Sequence, residues 1–223
     1  MQVVAGELLH YVHELLRDRR ARPREDFLSS YGAALDVSET LSHIEALVQI
    51  VTILLAGSDT TRGALTLQTS LLLEHREQWD AVCRDPALVP GAVLECLRYE
   101  PAVASFARVT IEDILLDDTL LPRGNVVSLS TMSAMRDSAL YADPDSFDIR
   151  RNDHPKRHLV FGGGSHRCLG ETLARIELEE SLTALIDRLP DLQLDGSPAT
   201  AQGSGGIRSI KDVRVRWSRA PRR

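Results

Sequence analysis

The densest chemistry lies in Phe161-Gly162-Gly163-Gly164-Ser165-His166-Arg167-Cys168-Leu169-Gly170. Three consecutive glycines let the backbone adopt φ > 0 and pass close to a flat object. Cys168 follows, and Gly170-Glu171-Thr172-Leu173-Ala174-Arg175 reads as a helix opening. Leu169, Leu173 and Ile176, then Leu182, Leu185 and Leu189, fall at helical spacing. A sulfur at a helix N-terminus meets unpaired N–H groups and the positive end of the dipole, which favour the thiolate. Such a thiolate is a soft, anionic metal ligand, and the glycines leave room beside it for a planar cofactor. Taken alone, the cysteine reads as an inert buried residue.

Three further sets of residues carry chemistry. Ala56-Gly57-Ser58-Asp59-Thr60-Thr61 interrupts a nearly all-apolar run that predicts a buried helix. Polar groups inside such a helix are costly unless satisfied or used. A threonine there can bond back to the carbonyl four residues earlier and open a notch, and Gly57 removes bulk beside it. By itself this pattern describes a kinked core helix. Glu95 and Arg98 share a helix face at i,i+3 and can pair, and Arg108 stands in Arg-x-x-x-Glu-Asp. Both patterns are also common on solvated surfaces.

Several elements must position these groups. Leu8, Leu9, Val12, Leu15 and Leu16 predict a first helix that ends in Arg17-Asp18-Arg19-Arg20 before Pro23. A short helix is expected at 25–34. A long one follows from about Leu41 into Leu71-Leu72-Leu73, with Ser38 as its N-cap. Another helix covers about 90–99. Strands are expected at 103–110, 114–116, 119–121 and 126–129. The stretch from Arg136 to Arg157 reads as an ordered irregular connection into the cysteine loop. Gly203 to Gly206 reads as a turn, and Val213, Val215 and Trp217 alternate as a closing strand.

The 223 residues suffice for one domain with a sizeable core. The net charge of −6 makes nucleic acid or an anionic membrane surface an unexpected partner. Only Lys156 and Lys211 among the 26 basic residues are lysines, a skew typical of GC-rich bacterial genomes. Cys83, Cys96 and Cys168 form an odd set without CxxC spacing, which suits a reducing cytosol and argues against disulfides or zinc. The longest apolar stretch, about 46–57, is shorter than the roughly 20 residues needed to span a bilayer, so a soluble, cytoplasmic protein is expected.

Phe161, Gly164, His166, Cys168 and Gly170 at their spacing, Ala-Gly-x-Asp-Thr-Thr at 56–61, Glu-x-x-Arg at 95–98 and Arg108 together resemble the cytochrome P-450 superfamily. The resemblance is to its bacterial, soluble haem-thiolate monooxygenases, and to the C-terminal half of their fold only. It implies a mainly α chain with small β-sheets (α+β), forming one truncated haem domain over 1–223 with the N-terminal half absent. Within it the oxygen-binding helix would span about 41–73, the Glu-x-x-Arg helix about 90–99 and the cysteine loop 158–170.

The resemblance further implies that Cys168 ligates the iron of haem b and that Arg108 and His166 hold its propionates. Val160, Phe161, Gly162, Leu169, Gly170 and Ala174 would line the thiolate face, and Ala56, Gly57 and Thr61 the oxygen face. Asp59 and Thr60 match the acid–alcohol pair that delivers protons. Glu95 and Arg98 match a buried structural pair, joined by Arg151 or, one register away, Arg150. The implied reaction inserts one atom of O2 into a small organic substrate, with electrons drawn from NAD(P)H through a ferredoxin or flavoprotein reductase. Two other roles use the same fold: a haem-binding remnant without turnover, and an auxiliary protein that binds an enzyme partner. Half a fold also implies a second polypeptide supplying the other half, or self-association.

Overall fold

A computed structural model describes residues 2–38, 40–155 and 158–218. The chain divides into two compact units, Met1–Asp59 and Thr60–Arg223.

The first unit contains helices α1 (Gln2–Ala21), α2 (Phe27–Ser38) and the opening of α3 (His43–Glu74). Val12, Leu16, Leu47 and Ile50 form its small core. Asp26 begins α2 by accepting from the Ser29 backbone N–H at 2.9 Å and from its hydroxyl at 2.8 Å. Ser38 is the last residue of α2, not the N-cap of the long helix. That helix is opened by Ser42. Its backbone N–H and hydroxyl donate to Glu45 Oε2 at 2.8 and 2.6 Å, and the Glu45 N–H returns to Ser42 Oγ at 3.4 Å. A serine followed three residues later by glutamate satisfies helix-end donors in both directions. Ser38 has Leu41 at that position and cannot do so.

Helix α3 departs from expectation in two ways. Its apolar run is not buried: Leu54 and Leu55 are 51 % and 57 % exposed, and Ala56, Gly57, Ser58 and Asp59 are exposed too. A run apolar on all sides says that a helix needs covering, not which residues cover it. Among the described residues, none covers this stretch. The helix also continues well past 46–57. With 32 residues and a mean hydropathy of 1.3 in its most apolar window, it is long and apolar enough to cross a membrane by length and composition alone.

The second unit holds the rest of α3, α4 (Arg76–Arg84), α5 (Val89–Tyr99), α6 (Thr131–Ala134) and α7 (Glu171–Arg188). Trp79, Val82, Ala92, Val93, Leu97, Ile149, Leu178, Leu182 and Ile186 belong to one core. Gln68 on α3 donates to the Leu178 carbonyl at 3.2 Å, and the Trp79 indole donates to Pro190 O at 3.0 Å. The sheets are two-stranded and antiparallel. Strand β1 (Ser105–Val109) pairs with β4 (Val126–Ser130), and β2 (Ile114–Leu116) with β3 (Thr119–Leu121). β5 (Gln193–Leu194) pairs with β8 (Val215–Arg216), and β6 (Ala201–Gln202) with β7 (Ser209–Ile210) across the glycine turn. The architecture is mainly helical with small sheets.

Helix α5 sits directly on the segment that leads to the cysteine loop. A Cβ on Gly91 would stand 2.7 Å from the Ile149 carbonyl oxygen, so glycine is required by close backbone approach. Gly91→Ala must push α5 away from residues 147–151. The expected loss is about 1–3 kcal/mol, as for other overpacked sites, read as a lower urea midpoint.

Candidate functional site

The cysteine loop is built from two 3-10 turns, Leu159–Phe161 and Gly164–His166. Gly162 and Gly164 between and within them have φ of +71° and +66°, values that favour glycine over any L side chain. The Cys168 N–H donates to the Phe161 carbonyl at 2.8 Å and closes the loop. Arg167 clamps it from the side, donating to Gly162 O at 2.9 Å and to Glu171 Oε1 at 2.6 Å on the first turn of α7. A Cβ on Gly162 would lie 3.9 Å from the Phe106 ring, which sets β1 against the loop.

Cys168 itself is a free, exposed thiol two residues before the α7 N-cap, Gly170. Around it, added Cβ atoms on Gly163, Gly164 and Gly170 would meet nothing within 4 Å. Leu169, Leu173 and Ile176 present an apolar strip along the start of α7, exposed to 84 %, 61 % and 51 %. The later turns of the same helix bury Leu178, Leu182 and Ile186 instead. Val160 is in the core, Gly162 is buried, and Phe161 and Ala174 are half-buried. Arg108 on β1 is half-buried, lies over the Phe106 ring at 5.9 Å and donates to its neighbour Ala107 O at 2.8 Å. His166 is exposed. On α3, Ala56, Gly57 and Asp59 are exposed while Thr60 and Thr61 are half-buried. Thr52, Thr66 and Thr69 bond back to carbonyls four residues earlier, at 2.7, 3.0 and 2.9 Å.

Glu95 and Arg98 meet as a bidentate pair with no side-chain exposure, Nε to Oε2 at 2.7 Å and Nη2 to Oε1 at 2.8 Å. The remaining Arg98 protons go to the carbonyls of Met135, Pro144 and Ser146 at 2.9, 2.7 and 2.9 Å. Burial works against the Arg98 charge, but the Glu95 carboxylate overrides it and holds its pKa above the ordinary value. Glu95 Oε1 also accepts from the Asp148 N–H at 2.9 Å. Arg151, not Arg150, is the arginine brought to this pair, with Nε 3.3 Å from Glu95 Oε2. Its Nη1 and Nη2 reach the carbonyls of Ala142 and Asp143 at 2.5 and 3.0 Å. One acid and two arginines therefore fix the irregular segment before the loop.

Three participants are absent from the sequence reading. Gln78 on α4 donates to Phe147 O at 2.5 Å and accepts from the Ile149 N–H at 2.9 Å. His154 brings Nε2 to 3.7 Å from Glu95 Oε2, and its ring centroid lies 5.6 Å from that of His158. His154 stands three residues after Arg151, but without helical periodicity in that segment the spacing carries no signal. Burial pushes the pKa of His158 down to about 3, with the His154 and Arg175 charges adding to it, and lowers that of His154 as well.

Two predictions follow from this geometry. Glu95→Gln leaves Arg98 without its counter-charge in the interior and removes one of the two carboxylates beside Arg151, the other being Asp153. It should cost about 3–5 kcal/mol of stability, measured by chemical denaturation. The second concerns acid. His158 is held neutral when folded, so the unfolded chain binds the extra proton. Its contribution is complete above the unfolded pKa of about 6.5 and falls as pH drops from there toward about 3. The expected slope is about 1.4 kcal/mol per pH unit. His158→Gln should flatten the decline in urea midpoint between pH 6.5 and 5; an unchanged slope would refute the assignment.

A family model described as cytochrome P450 (cytochrome P-450) matches residues 87–196, the segment holding α5, β1 to β4 and the cysteine loop. A plant-inducible cytochrome P-450, pinF1, of Rhizobium radiobacter is 44 % identical over 98 % of this chain and 51 % of its own length. Nocardicin C N-oxygenase of Nocardia uniformis subsp. tsuyamanensis is 39 % identical over 97 % of the chain and 55 % of its own. The crystal structure of CalO2 superimposes with a TM-score of 0.90 at 33 % identity, covering 97 % of this chain and 54 % of that one. The chain thus spans about half the length of the curated relatives it matches. It belongs to the cytochrome P-450 family.

Proposed function

We propose that this chain provides the thiolate side and the proton-delivery helix of a haem monooxygenase acting on a small organic substrate. The observation that carries the reading is Cys168: an exposed thiol on a loop held rigid by Phe161, Arg167 and the Glu95 network. The surroundings suit haem. Gly163, Gly164 and Gly170 leave open space beside the sulfur, and Leu169, Leu173 and Ile176 offer an apolar surface to a flat macrocycle. A soft thiolate is the donor that haem iron takes in this family.

Bound there, haem supplies the reductive activation of O2. Cys168 Sγ would hold the iron. Arg108, oriented by the Phe106 ring beneath it, and His166 would neutralise the propionates. Gly162 and Phe161 keep the loop close, and Val160, Leu169, Gly170 and Ala174 would line the thiolate face of the cofactor. On α3, the family resemblance assigns Ala56, Gly57 and Thr61 to the oxygen side of the cofactor. The Thr60 hydroxyl donates a proton from Oγ1 and the Asp59 carboxyl replaces it, a relay that needs a site shielded from bulk water. Glu95, Arg98 and Arg151 are positioning residues that hold the loop. Electrons come from NAD(P)H through a ferredoxin or flavoprotein reductase. A second polypeptide, or another copy, covers the apolar faces of α3 and α7.

Reduced protein supplied with haem and CO should show the red-shifted absorption band of thiolate ligation. Cys168→Ala should abolish that band, whereas Cys83→Ala and Cys96→Ala should retain it. A band that survives in the Cys168 variant would remove the sulfur from the reading.

A further inference from the structure

The interior beneath the cysteine loop holds two histidines that the proposed reaction does not use. His158, at the entry of the loop, is 3 % exposed, and the His154 side chain is 8 % exposed. All four ring nitrogens are buried without a hydrogen-bond partner among the described residues, and the adjacent Arg151 Nε is in the same condition. Buried polar groups are almost always paired, by protein or by ordered water.

We propose that His154 and His158 form a buried water-binding site that bridges the Glu95–Arg151 pair to the entry of the cysteine loop. The geometry is that of a bridged contact. His154 Nε2 stands 3.7 Å from Glu95 Oε2, too far for a direct hydrogen bond and a spacing at which an intervening water is the usual answer. The rings lie 5.6 Å apart at 47°, so they do not stack. Two hydrogen bonds of about 2.9 Å through one water would span a separation of this size.

The class of ligand follows from the partners. A neutral imidazole offers one donor and one acceptor, and Arg151 Nε offers a donor. Water satisfies such a mixed set, typically with about three hydrogen bonds per buried molecule. An anion is disfavoured by the Glu95 carboxylate, and a cation by the guanidinium groups of Arg98 and Arg151. No cluster of metal-ligating side chains exists among the described residues.

The consequence is mechanical. His158 O accepts from the Phe161 N–H at 3.2 Å, and Phe161 O accepts from the Cys168 N–H at 2.8 Å. Water held by the histidines therefore couples Glu95 to the turn that carries the thiol. His154 and His158 are positioning residues, and the inference stands whether or not the loop holds haem.

High-resolution crystallography of the protein tests the site directly. Density for at least one ordered water within hydrogen-bond distance of a nitrogen on each ring is expected. Rings satisfied by protein atoms, with no water between them, would overturn the proposal. Hydrogen exchange at the Cys168 amide tests the coupling. Exchange in His158→Leu, which cannot hold water, should be about tenfold faster or more, while His158→Gln should restore the native rate. Leu and Gln variants that exchange alike would also overturn it. If the Leu variant does not fold, the density decides.

Discussion

The structure depends on one buried charge pair. Glu95 and Arg98 sit inside the protein with no side-chain exposure, where ions are costly unless every donor and acceptor is met. That requirement is met by backbone from elsewhere: the carbonyls of Met135, Pro144 and Ser146, and the N–H of Asp148. The segment after α6 has little regular structure to fix its path. It is ordered because α5 presents a charge pair whose remaining valences its backbone must fill. Arg151 completes the arrangement from within the same segment.

Reactivity is placed at the end of that chain of constraints. The cysteine loop leaves the ordered segment at His158, turns twice on left-handed glycines and delivers Cys168 to the surface just before α7. The thiol is exposed, and its position is held from below: Arg167 on Gly162 and Glu171, Phe161 on Cys168, and the Phe106 ring against Gly162. A ligand atom that is fixed yet open is what a metal-holding cysteine requires.

Both units carry apolar faces turned outward. Leu54 and Leu55 on α3, and Leu169, Leu173 and Ile176 near α7, are exposed at positions a folded protein ordinarily covers. Their exposure accords with a chain that spans about half the length of its relatives. Beside a cysteine loop, such a face suits a flat apolar cofactor.

Local pattern determined much of this protein. Helices α1, α3, α5 and α7 and strands β1 to β4 lie within a few residues of where periodicity and turn residues put them, because those signals act over one element. Length and cysteine usage favoured a single domain over a disulfide or zinc scaffold. The residues at 161–170 were legible because glycine, cysteine and the helix opening are neighbours in sequence. What tertiary structure alone decided involves groups far apart in the chain. It chose Ser42 over Ser38 as the cap, since the choice turned on where Glu45 reaches. It chose Arg151 over Arg150 beside Glu95, since one register step in an irregular segment has no periodicity to declare it. The acceptors of Arg98 are carbonyls, which every residue carries and no side-chain pattern marks. His154 and His158 are ordinary histidines in sequence and become a buried pair only in the tertiary structure, with ring centroids 5.6 Å apart. The apolar run of α3 announced a need for cover, and only the tertiary structure revealed that this chain leaves it exposed, because burial depends on neighbours that a helix's own sequence does not name.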